Sequence, residues 1–313
     1  MLICKARLAP SPTGYLHLGN ARSFLLAWLQ ARALGGEIIL RIEDLDRPRA
    51  VEGAEKDIVG DLEWLGLDWD NELTPNYYQS NRLHLYCEAL DDFKARDLLY
   101  PCFCARKELA EAMSAPHNSA GRYPGTCRNL STEKRAEREV KKNPALRFRV
   151  EPGSIIEYND LIHGSLRSDV YEETGDFIVA RADGIPSYQL AVVLDDIAMG
   201  VTHVLRGDDL LDSTPRQILL YHAFSTKPPI YAHVPLILGP DRKRLAKRHG
   251  SVSIVEIRGT GRSPEEVVGW LAWSCGLRSD IGKTTAAELI EDFVIDNISR
   301  HGTHLSSLDI FSP

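Results

Sequence analysis

An apolar segment, Ile3 to Ala9, runs into two prolines (Pro10, Pro12) and two glycines (Gly14, Gly19), and a long helical pattern starts just after Gly19. Proline has no N–H to donate, so strand pairing ends at this loop. The glycines permit tight turns and a close backbone approach to a ligand. The unit is therefore strand, rigid loop and helix N-terminus, with His17 at the entrance. A helix N-terminus offers unpaired N–H groups and a positive dipole end, which suits phosphate. Phe24 to Leu34 is apolar enough to pack on a sheet, and Gly35-Gly36 ends it as a C-terminal glycine should. Glu37 to Ile42 follows as a mostly apolar strand of the buried parallel type. Strand, helix, strand implies a right-handed crossover and an α/β nucleotide-binding fold.

Length and charge bound the rest. A chain of 313 residues can bury a sizeable core as one large or two modest domains. No apolar run reaches the roughly 18 residues of a membrane span, and the N-terminus shows no leader pattern, so the expected location is cytoplasmic. The formal charge of −7 excludes a globally basic nucleic-acid binder, and any RNA contact must use a local basic surface. Of six cysteines, Cys102, Cys104 and Cys127 are clustered and Cys4, Cys87 and Cys275 scattered. In a cytosolic chain, a cluster leans to metal instead of disulfides.

The second strand leads into Glu43, Asp44 and Asp46 among Arg41, Arg47 and Arg49. On spacing alone this is either a loop of mutual salt bridges or a ligand site at a strand's carboxyl end. Val51 to Leu65 and Asn81 to Asp97 read as amphipathic helices, with Cys87 beside the second one's stripe as a buried thiol. The segment 101–130 is loop-rich, and three converging thiolates there suit tetrahedral zinc, with His117 the chemically ordinary fourth ligand. Ser131 to Lys142 reads as an exposed charged helix, and Ala145 to Tyr158 and Ile162 to Arg167 as short strands. Asp183-Gly184 between Phe177–Arg181 and Pro186–Leu190 signals a hairpin. Ala191 to Asp196 and Gly200 to Asp209 then read as strands ending in charge. Tyr188 on such a strand is equally a packing aromatic, and Arg206 equally a surface partner of Asp208 or Asp209. A helix is expected from Asp212 to about Phe224. Asp241 to His249 holds five basic residues against one acid, a pattern open to a solvated run, an RNA-facing patch or a mobile phosphate-gripping loop. Pro264 to Leu277 and Ala286 to Phe293 read as the last helices.

His17-Leu18-Gly19-Asn20 resembles the HIGH signature of class I aminoacyl-tRNA synthetases, and the longer run from Leu8 is similar to the glutamyl branch. Arg41 to Asp46, Pro186 to Asp196 and Gly200 to Asp209 resemble further segments of that branch. Arg242 to Arg248 resembles the KMSKS loop, with Lys247 at the second lysine. The chain departs from that loop's pattern at Arg244, in place of the first lysine, and at Ala246, in place of serine.

The resemblance implies a Rossmann-type HUP catalytic domain at 1–249, an insertion over roughly 98–175 with a zinc subdomain over roughly 101–130, and a short α-helical region at 250–313. It implies glutamate activation by ATP with Mg²⁺. His17 and Lys247 would be catalytic. Arg7, Ala9, Ser11, Glu43, Tyr188 and Arg206 would bind glutamate, with Glu43 on the ammonium. His17, Gly19, Asn20, Arg244 and Lys247 would bind ATP. The insert is similar to that of the glutamyl-queuosine tRNA(Asp) synthetase family, in which Cys102, Cys104, Tyr123 and Cys127 would hold one structural Zn²⁺. The expected acceptor is then the queuosine base of tRNA(Asp), and the expected state is a monomer away from membranes. The alternatives are a truncated glutamyl-tRNA synthetase charging tRNA(Glu) and a catalytically idle RNA-binding paralogue.

Overall fold

The computed structural model describes residues 3–105, 108, 122–239 and 253–304. Its first unit is β1 (Lys5–Leu8), α1 (Leu18–Ala33) and β2 (Glu37–Leu40). β1 and β2 are parallel, with Arg7 opposite Ile39. The apolar side chains of α1, Leu25, Leu26 and Leu29 among them, are buried against this pair. Thr202 N–H donates to Lys5 O (2.9 Å) and Arg7 Nη1 to Leu205 O (3.3 Å), so a strand from the second half lies beside β1 in the same direction.

After α2 (Ala54–Trp64) and α3 (Leu83–Ala95) the chain leaves the parallel layer. β3 (Leu99–Cys102) pairs antiparallel with β4 (Ala145–Phe148), reached through helix α4 (Thr132–Lys141), which is exposed except for half-buried Arg135. β5 (Ile155–Asp160) and β6 (Gly164–Asp169) form a hairpin, and after α5 (Val170–Glu173) β7 (Phe177–Ala180) returns to β4. Then come α6 (Tyr188–Met199), β8 (His203–Gly207), α7 (Thr214–Ala223), β9 (Ile230–Val234) and β10 (Ile237–Leu238). β8 and β9 are parallel and β5 joins β9 through Asp160, giving the order β6-β5-β9-β8. The described chain closes with α8 (Ile254–Gly259), α9 (Pro264–Ser274) and β11 (Thr303–His304), which pairs with β10.

One core joins α1, β1 and β2 to α9, with Trp270 and Leu271 buried beside them. Arg22 of α1, itself buried, knits this junction. Its Nη1 donates to Ser274 O (3.3 Å) and Thr303 Oγ1 (3.1 Å), and its Nη2 to Pro235 O. A second core packs α3, α6 and α7 against β4 and β7.

Four sequence expectations are corrected. Tyr188 to Met199 is a helix, where Ala191 to Asp196 was expected as a strand. Short apolar runs do not separate the two states. Gly200 at its C-cap, with φ +68°, terminates it as a helix, while the Ser187 side chain at its N-cap makes no capping bond. The hairpin at Asp183-Gly184 therefore keeps its turn but only one bridge, Ala180 to Pro186. Ala286 to Phe293 yields only a 3₁₀ turn at Ala287–Leu289, because Glu291 and Asp292 would oppose the dipole at a longer helix's end. Cys87 is exposed, since it lies one residue off the Tyr86–Leu90–Phe93 stripe. The basic loop with Arg244, Ala246 and Lys247, and His117, lie outside the described residues.

Candidate active site and cysteine centre

The carboxyl ends of β1 and β8, the proline loop and the first turn of α1 enclose a cavity of about 540 Å³. Arg7, Ala9, Ser11, His17, Gly19, Asn20, Glu43, Tyr188 and Arg206 all line it, so the structure brings together every described pocket residue named from the sequence. Four arginines (Arg7, Arg22, Arg49, Arg206) face two carboxylates (Glu43, Asp209) across it, so the space favours anions.

His17 is the N-cap of α1, with extended backbone (φ −87°, ψ 152°). It also bridges Ser253, and Ile254 N–H donates to Leu16 O (2.8 Å). Gly19 and Asn20 of the first turn line the cavity, so a helix N-terminus, which suits an anion, borders it.

Arg7 and Arg206 are each only 5 % exposed. Arg7 Nε lies 3.7 Å from Asp196. Arg206 has neutral partners: His233 Nε2 (3.0 Å), Thr214 Oγ1 (2.9 Å), Tyr188 Oη (3.4 Å) and Leu210 O (3.5 Å). Among the described residues no carboxylate touches it. The expected alternative, a surface pair with Asp208 or Asp209, is absent among the described residues.

Glu43 is held by Arg41 Nη2 at 3.0 Å. Burial raises its carboxyl above the usual value, while Arg41 and then Arg7 pull it back. Arg41 is completely buried, and its Nη1 also reaches Asp196 (2.6 Å). Asp195 accepts from Arg82 Nε (2.7 Å), Gln79 Nε2 (2.7 Å) and Tyr86 Oη (2.9 Å). Sequence reasoning gave no role to Arg41, Asp195, Asp196, Asp160 or His233. A helical reading of residues 188–199 would have put Tyr188 and Asp195 on one face, seven residues apart.

The second centre lies in the insert. The thiols of Cys102, Cys104 and Cys127 all fall within 4.8 Å of one another. Tyr123 Oη lies 3.5 Å from Cys102 Sγ and 3.6 Å from Cys104 Sγ, and Cys104 Sγ is 3.6 Å from Cys127 Sγ. Tetrahedral zinc with bonds of about 2.3 Å separates its ligands by about 3.7 Å, so this donor set fits the ion. The hydrogen bond to Cys127, then those with Tyr123 and Arg147, hold the Cys102 thiol far below its ordinary value against the opposing effect of burial. Burial and the neighbouring thiols push the Tyr123 phenol up. Arg147 donates from Nε to Cys102 Sγ (3.2 Å), and its guanidinium lies 3.5 Å over the Tyr123 ring, placing a cation against the Cys102 sulfur and the face of the phenol.

Residues 4–300 match the family described as tRNA synthetases class I (E and Q), catalytic domain. The chain is 51 % identical to a glutamyl-Q tRNA(Asp) synthetase of Symbiobacterium thermophilum, over 96 % of this chain and 94 % of that protein. It is 44 % identical to a glutamate–tRNA ligase of Oleidesulfovibrio alaskensis, over 94 % of this chain and 62 % of that one. A crystal structure of a glutamate tRNA ligase from Elizabethkingia meningosepticum, in complex with its amino acid, superposes with a TM-score of 0.81 at 30 % identity. That match covers 98 % of this chain and 68 % of the other.

Proposed function

Because the chain belongs to the class I tRNA synthetase family for glutamate and glutamine, we propose that it activates L-glutamate with ATP and transfers it to the queuosine base of tRNA(Asp). The observation that carries the amino-acid choice is Arg206, a buried guanidinium facing the cavity whose hydrogen-bond partners among the described residues are all neutral. A substrate carboxylate is its natural counter-charge, through paired charge-assisted hydrogen bonds. Glu43 takes the ammonium, and Arg7, Ser11, Tyr188 and the Ala9 backbone complete the contacts. Glutamine is refused because its neutral amide leaves a buried arginine uncompensated.

ATP lies across the first turn of α1, with its phosphates toward Gly19, Asn20 and His17, and Mg²⁺ enters with it. The glutamate carboxylate attacks the α-phosphate and pyrophosphate leaves. The protein positions the reactants and neutralises developing charge, with His17 and, from the loop outside the described residues, Lys247 and Arg244 in that role. A hydroxyl of queuosine then attacks the carboxyl carbon of the adenylate, an ester forms, the bond to the phosphate breaks and AMP leaves. In the insert, Cys102, Cys104, Tyr123 and Cys127 would hold one structural Zn²⁺, since four protein donors fill a tetrahedral site and leave no position open for water. The division into 1–249 and 250–313, the HUP character of the catalytic domain, a monomeric state and a cytoplasmic location belong to the same proposal.

The test is charging of purified tRNAs with labelled glutamate. Queuosine-containing tRNA(Asp) is expected to accept it. Acceptance by tRNA(Glu), with none by that tRNA(Asp), would overturn the reading.

A further inference from the structure

Arg206, His233 and Asp160 sit on three neighbouring strands. Arg206 of β8 is the register partner of His233 of β9, and Asp160 is the last residue of β5. His233 and Asp160 are both 0 % exposed. Asp160 Oδ1 accepts the N–H groups of Ile162 (3.0 Å), His163 (3.0 Å) and His233 (3.3 Å), and its Oδ2 lies 2.6 Å from His233 Nδ1.

An ionised carboxylate can only accept, so the proton of the imidazole stands on Nδ1. Nε2 is then a lone pair. It accepts Arg206 Nε–H at 3.0 Å, and Thr214 Oγ1 lies at the same distance from it. Thr214 Oγ1 in turn accepts from Arg206 Nη2 at 2.9 Å. Two sides of the guanidinium are thereby fixed to the protein, and Nη1 is aimed at Tyr188 and the cavity.

We propose that neutral His233, its tautomer set by Asp160, is a positioning residue that aims Arg206 at the substrate carboxylate. This rests on the reading of Arg206 as a glutamate ligand. The groups facing the ring are Asp160, Arg206, Thr214, the stacked ring of Tyr231 at 5.9 Å and, at longer range, His163. A second ring proton on Nε2 would confront Arg206 Nε–H, two donors and two positive charges in one buried space. Asp160 thus reaches Arg206 only through an uncharged ring. It steadies the cation without competing for the face that meets substrate.

Nitrogen-detected NMR of the histidine rings in the full chain reads the tautomer directly. His233 is expected neutral with the proton on Nδ1 near neutral pH. Asp160→Asn can donate an amide hydrogen to Nδ1 and is expected to move the ring proton to Nε2. In glutamate-dependent ATP–pyrophosphate exchange, His233→Leu should raise the glutamate KM roughly tenfold or more, with kcat and the ATP KM little changed. His233→Gln, whose carbonyl can accept from Arg206, should recover most of the loss. An imidazolium or an Nε2–H tautomer in the wild type, or an unchanged glutamate KM in folded His233→Leu, would overturn the proposal. Absence of exchange in the wild type would sink the glutamate reading alone. The ring tautomer, with the Arg206 Nε–H resonance expected to shift in His233→Leu, still decides whether His233 orients that guanidinium.

Discussion

Asp196 Oδ1 lies 2.6 Å from Arg41 Nη1 and 3.7 Å from Arg7 Nε, so one carboxylate on α6 ties together arginines from the ends of two parallel strands. Arg41 also carries Glu43 at 3.0 Å and is wholly buried. Removing that guanidinium leaves Glu43 without its hydrogen-bonded partner and Asp196 with only Arg7, at 3.7 Å, in the interior. Arg41→Met is therefore expected to cost about 3–5 kcal/mol of folding stability. Urea unfolding of the variant beside the wild type measures it, and a loss below about 1 kcal/mol would mean that water or rearrangement replaces the pair.

Arg206→Lys keeps a positive charge but loses the planar fork. The glutamate KM should rise roughly 10- to 100-fold, the equivalent of one lost charge-assisted hydrogen bond or two. The ATP KM should stay near the wild-type value. Steady-state exchange kinetics separate the two, with circular dichroism to check the fold.

The cysteine centre predicts one bound zinc per chain. Cys127→Ser should lose the metal and melt at a lower temperature, and a chelator should do the same to the wild type. Arg147→Gln leaves all four donors in place yet should weaken zinc affinity roughly 10- to 100-fold, because the cation against Cys102 and Tyr123 is gone. Atomic absorption and competition with a chromogenic chelator give these values.

Burial holds the folded-state pKa of His233 below its ordinary 6.5, outweighing Asp160. The unfolded chain therefore binds more protons than the native one as the pH falls below about 6.5. The stability tied to this neutral ring is complete above that pH and is lost as pH falls through the folded value. His203, whose pKa burial also lowers, acts in the same direction. His233→Gln should flatten part of the acid slope, read as the wild-type minus variant difference in unfolding free energy between neutral and mildly acidic pH.

The strand, proline loop and helix at the N-terminus were legible because proline and glycine act locally, and α1 begins at Leu18 with His17 as its cap. The cysteines with Tyr123 were legible from spacing and family resemblance together. Helix α6 was not, because Leu190 to Leu194 is apolar on every side and carries no period. That error hid Asp195 and Asp196, which looked like charge at a strand's end and are instead buried anchors for Arg41 and Arg82. His233 and Asp160 lie 73 residues apart, and only the pairing of β5 with β9 brings them together.

Arg22 leaves the first helix to reach Ser274, Thr303 and the carbonyl of Pro235 in the cavity wall, while Trp270 fills the core beneath. The stretch holding α9 and β11 is thus no passenger. Its removal would strip one guanidinium of two acceptors and uncover the apolar underside of α1. With this core shared, denaturant is expected to melt α1 and α9 in a single transition, and the amides of Trp270 and Leu25 to exchange at a common rate-limiting opening.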